Sequence, residues 1–218
     1  MMPDETVAAM LARVAPRPAS TAVGPAGGGA RFLNVKIRRQ LRAYILRDNA
    51  TIVIEHLPAP GEEVHWLLPG AFVFGDFIPV LCHKRGPIPH LVITTLGMSD
   101  ANLKVLIALL DSRQVETLTI CASNYWRATD RQRVPDHLDQ AAAQNHRMKV
   151  HYSRIHTKVI LAANTKGDAY VFAGSANLRS SGTLEQMSCW NDAGLLSFHQ
   201  SWIDALLAGD PILTGGIK

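Results

Sequence analysis

The 218-residue chain has no apolar run approaching the roughly 18 residues that a membrane-spanning helix needs. Asp4 and Glu5 stand where a secretion signal would be basic, so a cytoplasmic protein with no membrane partner is expected. Cysteine is scarce: Cys82, Cys121 and Cys189 form no CxxC pair, and an odd, scattered set fits small core residues in a reducing compartment better than a disulfide framework or zinc site. HExxH and comparable spacings are missing, and His83, His90, His146 and His151 stand singly, so neither a metal nor a cofactor is expected. No internal repeat is present.

Charge is modest but unevenly placed. A net charge of +4 and a pI near 9.1 permit a polyanionic partner without requiring one. Lys36, Arg38, Arg39, Arg42 and Arg47 crowd one segment, and Arg127, Arg131 and Arg133 another. Each cluster by itself reads equally well as a solvated face or as a phosphate-contacting one.

Residues 1–30 contain a short helix-prone piece and then PRPASTAVGPAGGGA, too poor in apolar surface to offset the entropy of ordering, so they are expected to be a flexible tail. Residues 31–218 are expected to form one domain. The region 47–90, interrupted by Pro69, Gly70, Gly75 and Pro79, reads as short strands and loops. After Pro89 the pattern sharpens into HLVITTL as a buried strand, Ser99-Asp100 as a cap and 101–114 as a helix with Leu103, Val105, Leu106, Leu109 and Leu110 at helical spacing. VETLTICAS then reads as a strand, Thr129 to His146 as a helix near Pro135, and MKVHYSRI as a third strand. This β-α-β-α-β order with continuous apolar strands predicts a largely parallel sheet flanked by helices.

The densest chemistry lies in 154–186. KVILAAN and AYVFAGS are apolar runs separated by Thr165, Lys166, Gly167 and Asp168, a β-hairpin pattern. Folding it back brings His156 and Lys158 beside Ser175 and Asn177, and the following loop lets Glu185 return to the same edge. Separately, each of these residues has an ordinary structural reading; the joint spacing is what points to a site.

His156-x-Lys158, Gly174-Ser175-x-Asn177 and the later Glu185 resemble the signature of the phospholipase D superfamily, and within it the branch of single-HxK nucleases and metal-independent restriction enzymes. The resemblance spans roughly 90–205. It implies an α/β fold with a mixed, largely parallel sheet flanked by helices, paired as a homodimer. Two departures stand out: the family's aspartate five residues after the lysine is Ala163 here, beside Asn164, and the interval from Lys158 to Gly174 is about four residues longer than in the compact nucleases. An even insertion shared between paired strands keeps every side chain on its face, because strands have period two.

Phosphodiester cleavage without a metal needs a neutral nucleophile, donors for the phosphoryl oxygens and an acid for the leaving oxygen. The resemblance implies His156 as the nucleophile that becomes a phosphohistidine. Lys158, Ser175 and Asn177 supply positive charge and neutral donors, and Glu185 orients the imidazole. A single HxK implies that two subunits pool their histidines across a two-fold axis. The leading expectation is therefore a nuclease, with DNA ahead of RNA. Lys36, Arg38, Arg39 and Arg42 are candidates for backbone contact, and Trp126 and Arg127, after a strand C-terminus, for base stacking and phosphate contact. Two alternatives stay open: a catalytically degenerate dimer serving nucleic-acid binding or assembly, in a phage-related role among others, and a phospholipase or phosphatidyl transferase with the same histidine chemistry.

Overall fold

The structure, a computed structural model, describes residues 39–44, 57–68, 74–179 and 183–214. In chain order these form β1 (Arg39–Tyr44), β2 (Glu62–Leu68), a 3-10 turn at Phe74–Asp76, α1 (Phe77–Arg85), β3 (Ile88–Thr95), α2 (Asp100–Asp111), β4 (Val115–Ser123), α3 (Asn124–Thr129) and α4 (Val134–Gln144). Then come β5 (Met148–Ser153), β6 (Val159–Ala163), β7 (Ala169–Gly174), β8 (Glu185–Asn191), α5 (Ala193–Leu207) and α6 (Pro211–Thr214). The expected tail, 1–30, lies outside the described residues. Among those described, no helix is long and apolar enough to cross a membrane.

The eight described strands form one sheet in the order β1-β2-β8-β7-β6-β3-β4-β5. The β3-β4-β5 half is parallel, as the alternation of strands and helices predicts, and β1 also runs parallel to β2. The other four pairings are antiparallel, so the sheet is mixed with a smaller parallel share than the strand–helix order alone suggests. The cause is the β6–β7 hairpin and β8, which insert between the two parallel pieces.

Both faces are covered, which is why the central strands read as unbroken apolar runs. On one face Trp66 stacks on Phe77 with ring centroids 5.6 Å apart, and Phe77 meets Phe172 at 6.0 Å, in a core that also takes Leu103 and Leu106 of α2 and Leu138 of α4. On the other, Val92, Leu161 and Val171 lie under Ile203 and Leu206 of α5. Each such buried side chain is worth about 1.5–3 kcal/mol relative to exposure.

Two expectations are corrected. The region read as strands and loops contains α1, whose Phe77, Ile78, Leu81 and Cys82 are buried along one stripe. Pro79, read as a breaker, occupies the third helical position, where an N–H would have had no intrahelical acceptor. The helix expected over 129–146 starts later, at Val134, with Pro135 in its first turn: the short α3, which was not expected, ends at Thr129, and Arg133 between the two takes a left-handed φ of 57°. Asp130 caps α4 by accepting from the Val134 N–H at 2.9 Å.

Candidate active site

One edge of the sheet gathers the chemistry. The C-terminal ends of β3, β4, β5 and β7 meet the N-terminal ends of β6 and β8 there, because β6 and β8 run against their neighbours. The hairpin folds as expected: Val159 pairs with Ala173, and the Gly174 N–H donates to the Lys158 carbonyl at 3.3 Å. Buried Thr94 fixes the start of β6 by accepting from the Val159 N–H at 3.0 Å. His156 and Lys158 are thus held immediately before a rigid strand, facing the end of β7.

Lys158 is 8% exposed while His156 lies at the surface. The lysine ammonium donates to the His156 carbonyl at 3.1 Å and lies 3.3 Å from His156 Nδ1. Burial holds its pKa below the ordinary 10.5, opposed by the carboxylate of Glu185.

Across the hairpin, the Ser175 hydroxyl donates to the Glu185 carboxylate, the Ser175 N–H donates to the Gln186 carbonyl at 3.0 Å, and the Gln186 N–H returns to Ser175 Oγ at 3.0 Å. Only glycine fits before this serine, since a Cβ on Gly174 would meet the Gln186 carbonyl oxygen and lie 2.9 Å from Met187 Cα. The first residue of the GSAN motif is therefore dictated by the close approach of β8.

Asn177 is placed by its neighbours. Ala176 and Leu178 are buried on either side, and the Leu178 carbonyl accepts from the Ser99 N–H at 3.0 Å and from Asn102 Nδ2 at 2.9 Å, pinning the loop to the start of α2. The Asn177 side-chain oxygen is buried with no hydrogen-bond partner. A buried amide oxygen left unsatisfied is costly, of the order of 1–3 kcal/mol.

His156, Lys158, Ser175, Asn177 and Glu185 thus belong to segments meeting at this edge. Glu185 accepts from Ser175 and, at 3.3 Å, from Thr183 Oγ1. It also faces Lys158 electrostatically. The position of the family aspartate, Ala163, lies at the other end of the hairpin, paired with Ala169 beside the turn. That turn is held instead by Asp168, whose carboxylate accepts from Asn164 and Asn191, both at 2.9 Å.

Among solved structures, the phospholipase D family member Nuc from Salmonella typhimurium matches at 19% identity over 66% of this chain and 92% of its own, with a TM-score of 0.48. A mutant of yeast tyrosyl-DNA phosphodiesterase matches at 18% identity over 58% of this chain and 31% of its own, with a TM-score of 0.36. Polyphosphate kinase from Porphyromonas gingivalis matches at 12% identity over 96% of this chain, with a TM-score of 0.53. The likeness to the kinase shows a shared fold. At 12% identity it concerns the fold and not the reaction, and the chain spans only 36% of the kinase's length. No family model and no curated protein matches the sequence.

The expected nucleic-acid residues fare differently. Trp126 is corrected: it is 4% exposed, covered by Gly97, so its ring has no face to offer a base. The apolar run of β4 continues into α3, and the indole is part of that core. Its neighbour Tyr125 is the exposed ring, at 69%. Arg127 is committed to Asp139 at 3.0 Å and lies over the Tyr152 ring at 4.3 Å. Arg39 and Arg42 are on the edge strand β1, while Lys36 and Arg38 lie outside the described residues.

Sequence reasoning missed Tyr125, Arg154 and Arg179 beside the site. Arg154, Tyr125 and His156 line an open hollow of about 670 Å³ at the ends of β4 and β5. The available signal was proximity along the chain: Arg154 stands two residues before His156, and Arg179 two after Asn177.

Proposed function

We propose that the protein is a metal-independent phosphodiesterase that cleaves nucleic acid, DNA ahead of RNA, through a phosphohistidine at a site completed by a second copy of the chain. The observation that carries this reading is the desolvated Lys158 ammonium 3.3 Å from the ring of surface-exposed His156, across a hairpin from Ser175 and Asn177. A scaffold has no need to bury an amine next to an imidazole, since desolvating it costs stability.

In the first step His156 Nε2 attacks phosphorus, the phosphorus–oxygen bond to the leaving strand breaks, and that oxygen takes a proton from His156 of the partner subunit. Lys158 and the Asn177 amide offset charge on the phosphoryl oxygens. In the second step the now neutral His156 of the partner subunit takes a proton from water, the hydroxide attacks phosphorus, and the phosphorus–nitrogen bond breaks to free a phosphomonoester end. Attack through Nε2 requires the imidazole proton on Nδ1. In that tautomer Lys158 Nζ keeps the His156 carbonyl as acceptor and turns its remaining protons to the substrate.

The test is cleavage of single- and double-stranded DNA and of RNA in excess EDTA by the intact protein and by His156→Asn. Chelator-resistant cleavage that vanishes in the variant, with an acid-labile phosphoryl label on the protein, is the expected result. Light scattering should give a dimer at micromolar concentration. A strict monomer that still cleaves would refute the shared site. The second reading, a degenerate binding protein, is favoured by one observation, Ala163 at the position of the family aspartate. It predicts salt-dependent binding with no cleavage of any polymer.

A further inference from the structure

The hollow beside His156 is one end of a longer trough. Leu96 and Tyr125 are shared between it and a narrow neck of about 80 Å³, and the neck shares Thr129, Asp130 and Arg179 with a polar hollow of about 460 Å³ that adds Arg131. The three spaces follow one another across the ends of β3 and β4, from the candidate nucleophile to the start of α4.

The charges along this path differ from those elsewhere. Arg127 and Arg133 are paired with Asp139 and Asp136, at 3.0 and 2.6 Å. Among the described residues, Arg154, Arg131 and Arg179 have no ion-pair partner. The one acid lining the path, Asp130, accepts from the Val134 N–H. A cationic guanidinium lies at each end, with an apolar first hollow and an exposed tyrosine ring between them.

We infer that this trough binds a single strand of nucleic acid, with Tyr125 as a stacking platform for a base next to the cleaved phosphate and with Arg154 on one side and Arg179 and Arg131 on the other holding flanking phosphates. The inference rests on the proposed phosphodiesterase reading for the position of the cleaved bond, and its binding claim stands apart from it. A groove that combines backbone-tracking cations with an aromatic face suits unpaired bases, whose π-faces are free. In a duplex those faces are stacked on neighbours and unavailable to Tyr125.

The experiment measures binding of the intact chain carrying His156→Asn to a fluorescein-labelled 20-nucleotide thymidine strand, to its adenine complement annealed to it, and to the matching RNA. Single strands should bind at least tenfold more tightly than the duplex. Replacing Arg131 and Arg179 together by alanine should weaken binding and flatten the salt dependence by about 1.4 log units per decade, for two lost single-strand phosphate contacts. Tyr125→Ala should cost roughly 5- to 160-fold, with Tyr125→Phe restoring it. Lys104→Ala, on the outer face of α2, serves as the control that changes neither.

Equal affinity for duplex and single strand, or an unaltered salt slope in the double arginine variant, would overturn the inference. So would dissociation of a dimer by Tyr125→Ala in light scattering, which would assign the hollow to the subunit interface. Hydrolysis of bis(p-nitrophenyl) phosphate by the protein with native His156 separates the two readings. Hydrolysis without strand binding refutes the trough and keeps the phosphodiesterase, whereas strand binding without any hydrolysis does the reverse.

Discussion

Replacing Gly174 by alanine tests the architecture of the site at its tightest point. A Cβ there would lie 2.9 Å from Met187 Cα and 3.1 Å from the Gln186 carbonyl carbon, and would overlap the Gln186 carbonyl oxygen. All three neighbours are backbone, so no side chain can swing away, and β8 must retreat from β7. That retreat strains or breaks the two 3.0 Å hydrogen bonds between Ser175 and Gln186. At about 1 kcal/mol for each bond and a further 1–3 kcal/mol for overpacking, the loss is about 3–5 kcal/mol. For a domain of this length that lowers Tm by about 6–20 °C. Glu185, the first residue of β8, moves with the strand. Displacement of a site group by about 1 Å costs on the order of 100-fold in turnover. The comparison is Gly167→Ala, in the hairpin turn, where φ is +95° but no atom lies within 4 Å of the new Cβ. Only backbone strain of about 1 kcal/mol applies there, and turnover should be retained. Thermal unfolding by calorimetry and cleavage kinetics on both variants decide the matter. If Gly174→Ala melts with the wild-type protein, the close approach of β8 is not what fixes this edge.

Three further outcomes are expected. Lys158→Met should abolish cleavage while leaving Tm at pH 7 equal to or above wild type, because a desolvated charge is exchanged for an apolar chain of similar length; a large fall in Tm by circular dichroism would show that the ammonium stabilises the fold. Because burial lowers the Lys158 pKa in the folded state, its contribution to stability rises with pH between that lowered value and 10.5, and cleavage, which uses the charged amine, should decline on the alkaline side before pH 10.5. Asp168→Ala should destabilise by about 2 kcal/mol through loss of the Asn164 and Asn191 bonds, with turnover at 25 °C retained since the turn is remote from His156. Partial burial raises the Asp168 pKa, but those two donors together with Arg85 and the Tyr170 hydroxyl outweigh it and hold the value below 3.8, so its stabilisation is present above that pH and is lost as pH falls through the folded value. The acid limb of urea unfolding should therefore flatten in the variant.

Much of this protein is local enough to read along the chain. Continuous apolar runs located β3 to β7 and a period-3.6 pattern located α2, since a strand covered on both faces and a helix covered on one each bury residues at a spacing set by their own backbone. The hairpin aligned Lys158 with Gly174 because a short turn leaves few registers. What failed was whatever depended on neighbours distant in sequence. Pro79 looked like a break until its place in the first turn of α1 was known, and Trp126 looked like a binding ring until Gly97 covered it.

The sequence by itself determined which groups stand at the sheet edge, because strand alternation and one turn suffice to bring His156, Lys158 and Ser175 to it. Only the tertiary structure decided the state in which those groups are held. The burial of Lys158, the glycine required at 174, the turn network of Asp168 and the difference between paired Arg127 and Arg179, which has no ion-pair partner among the described residues, all arise from contacts between segments far apart in the chain. Desolvation and pairing belong to the space around a residue, and no local pattern encodes that space.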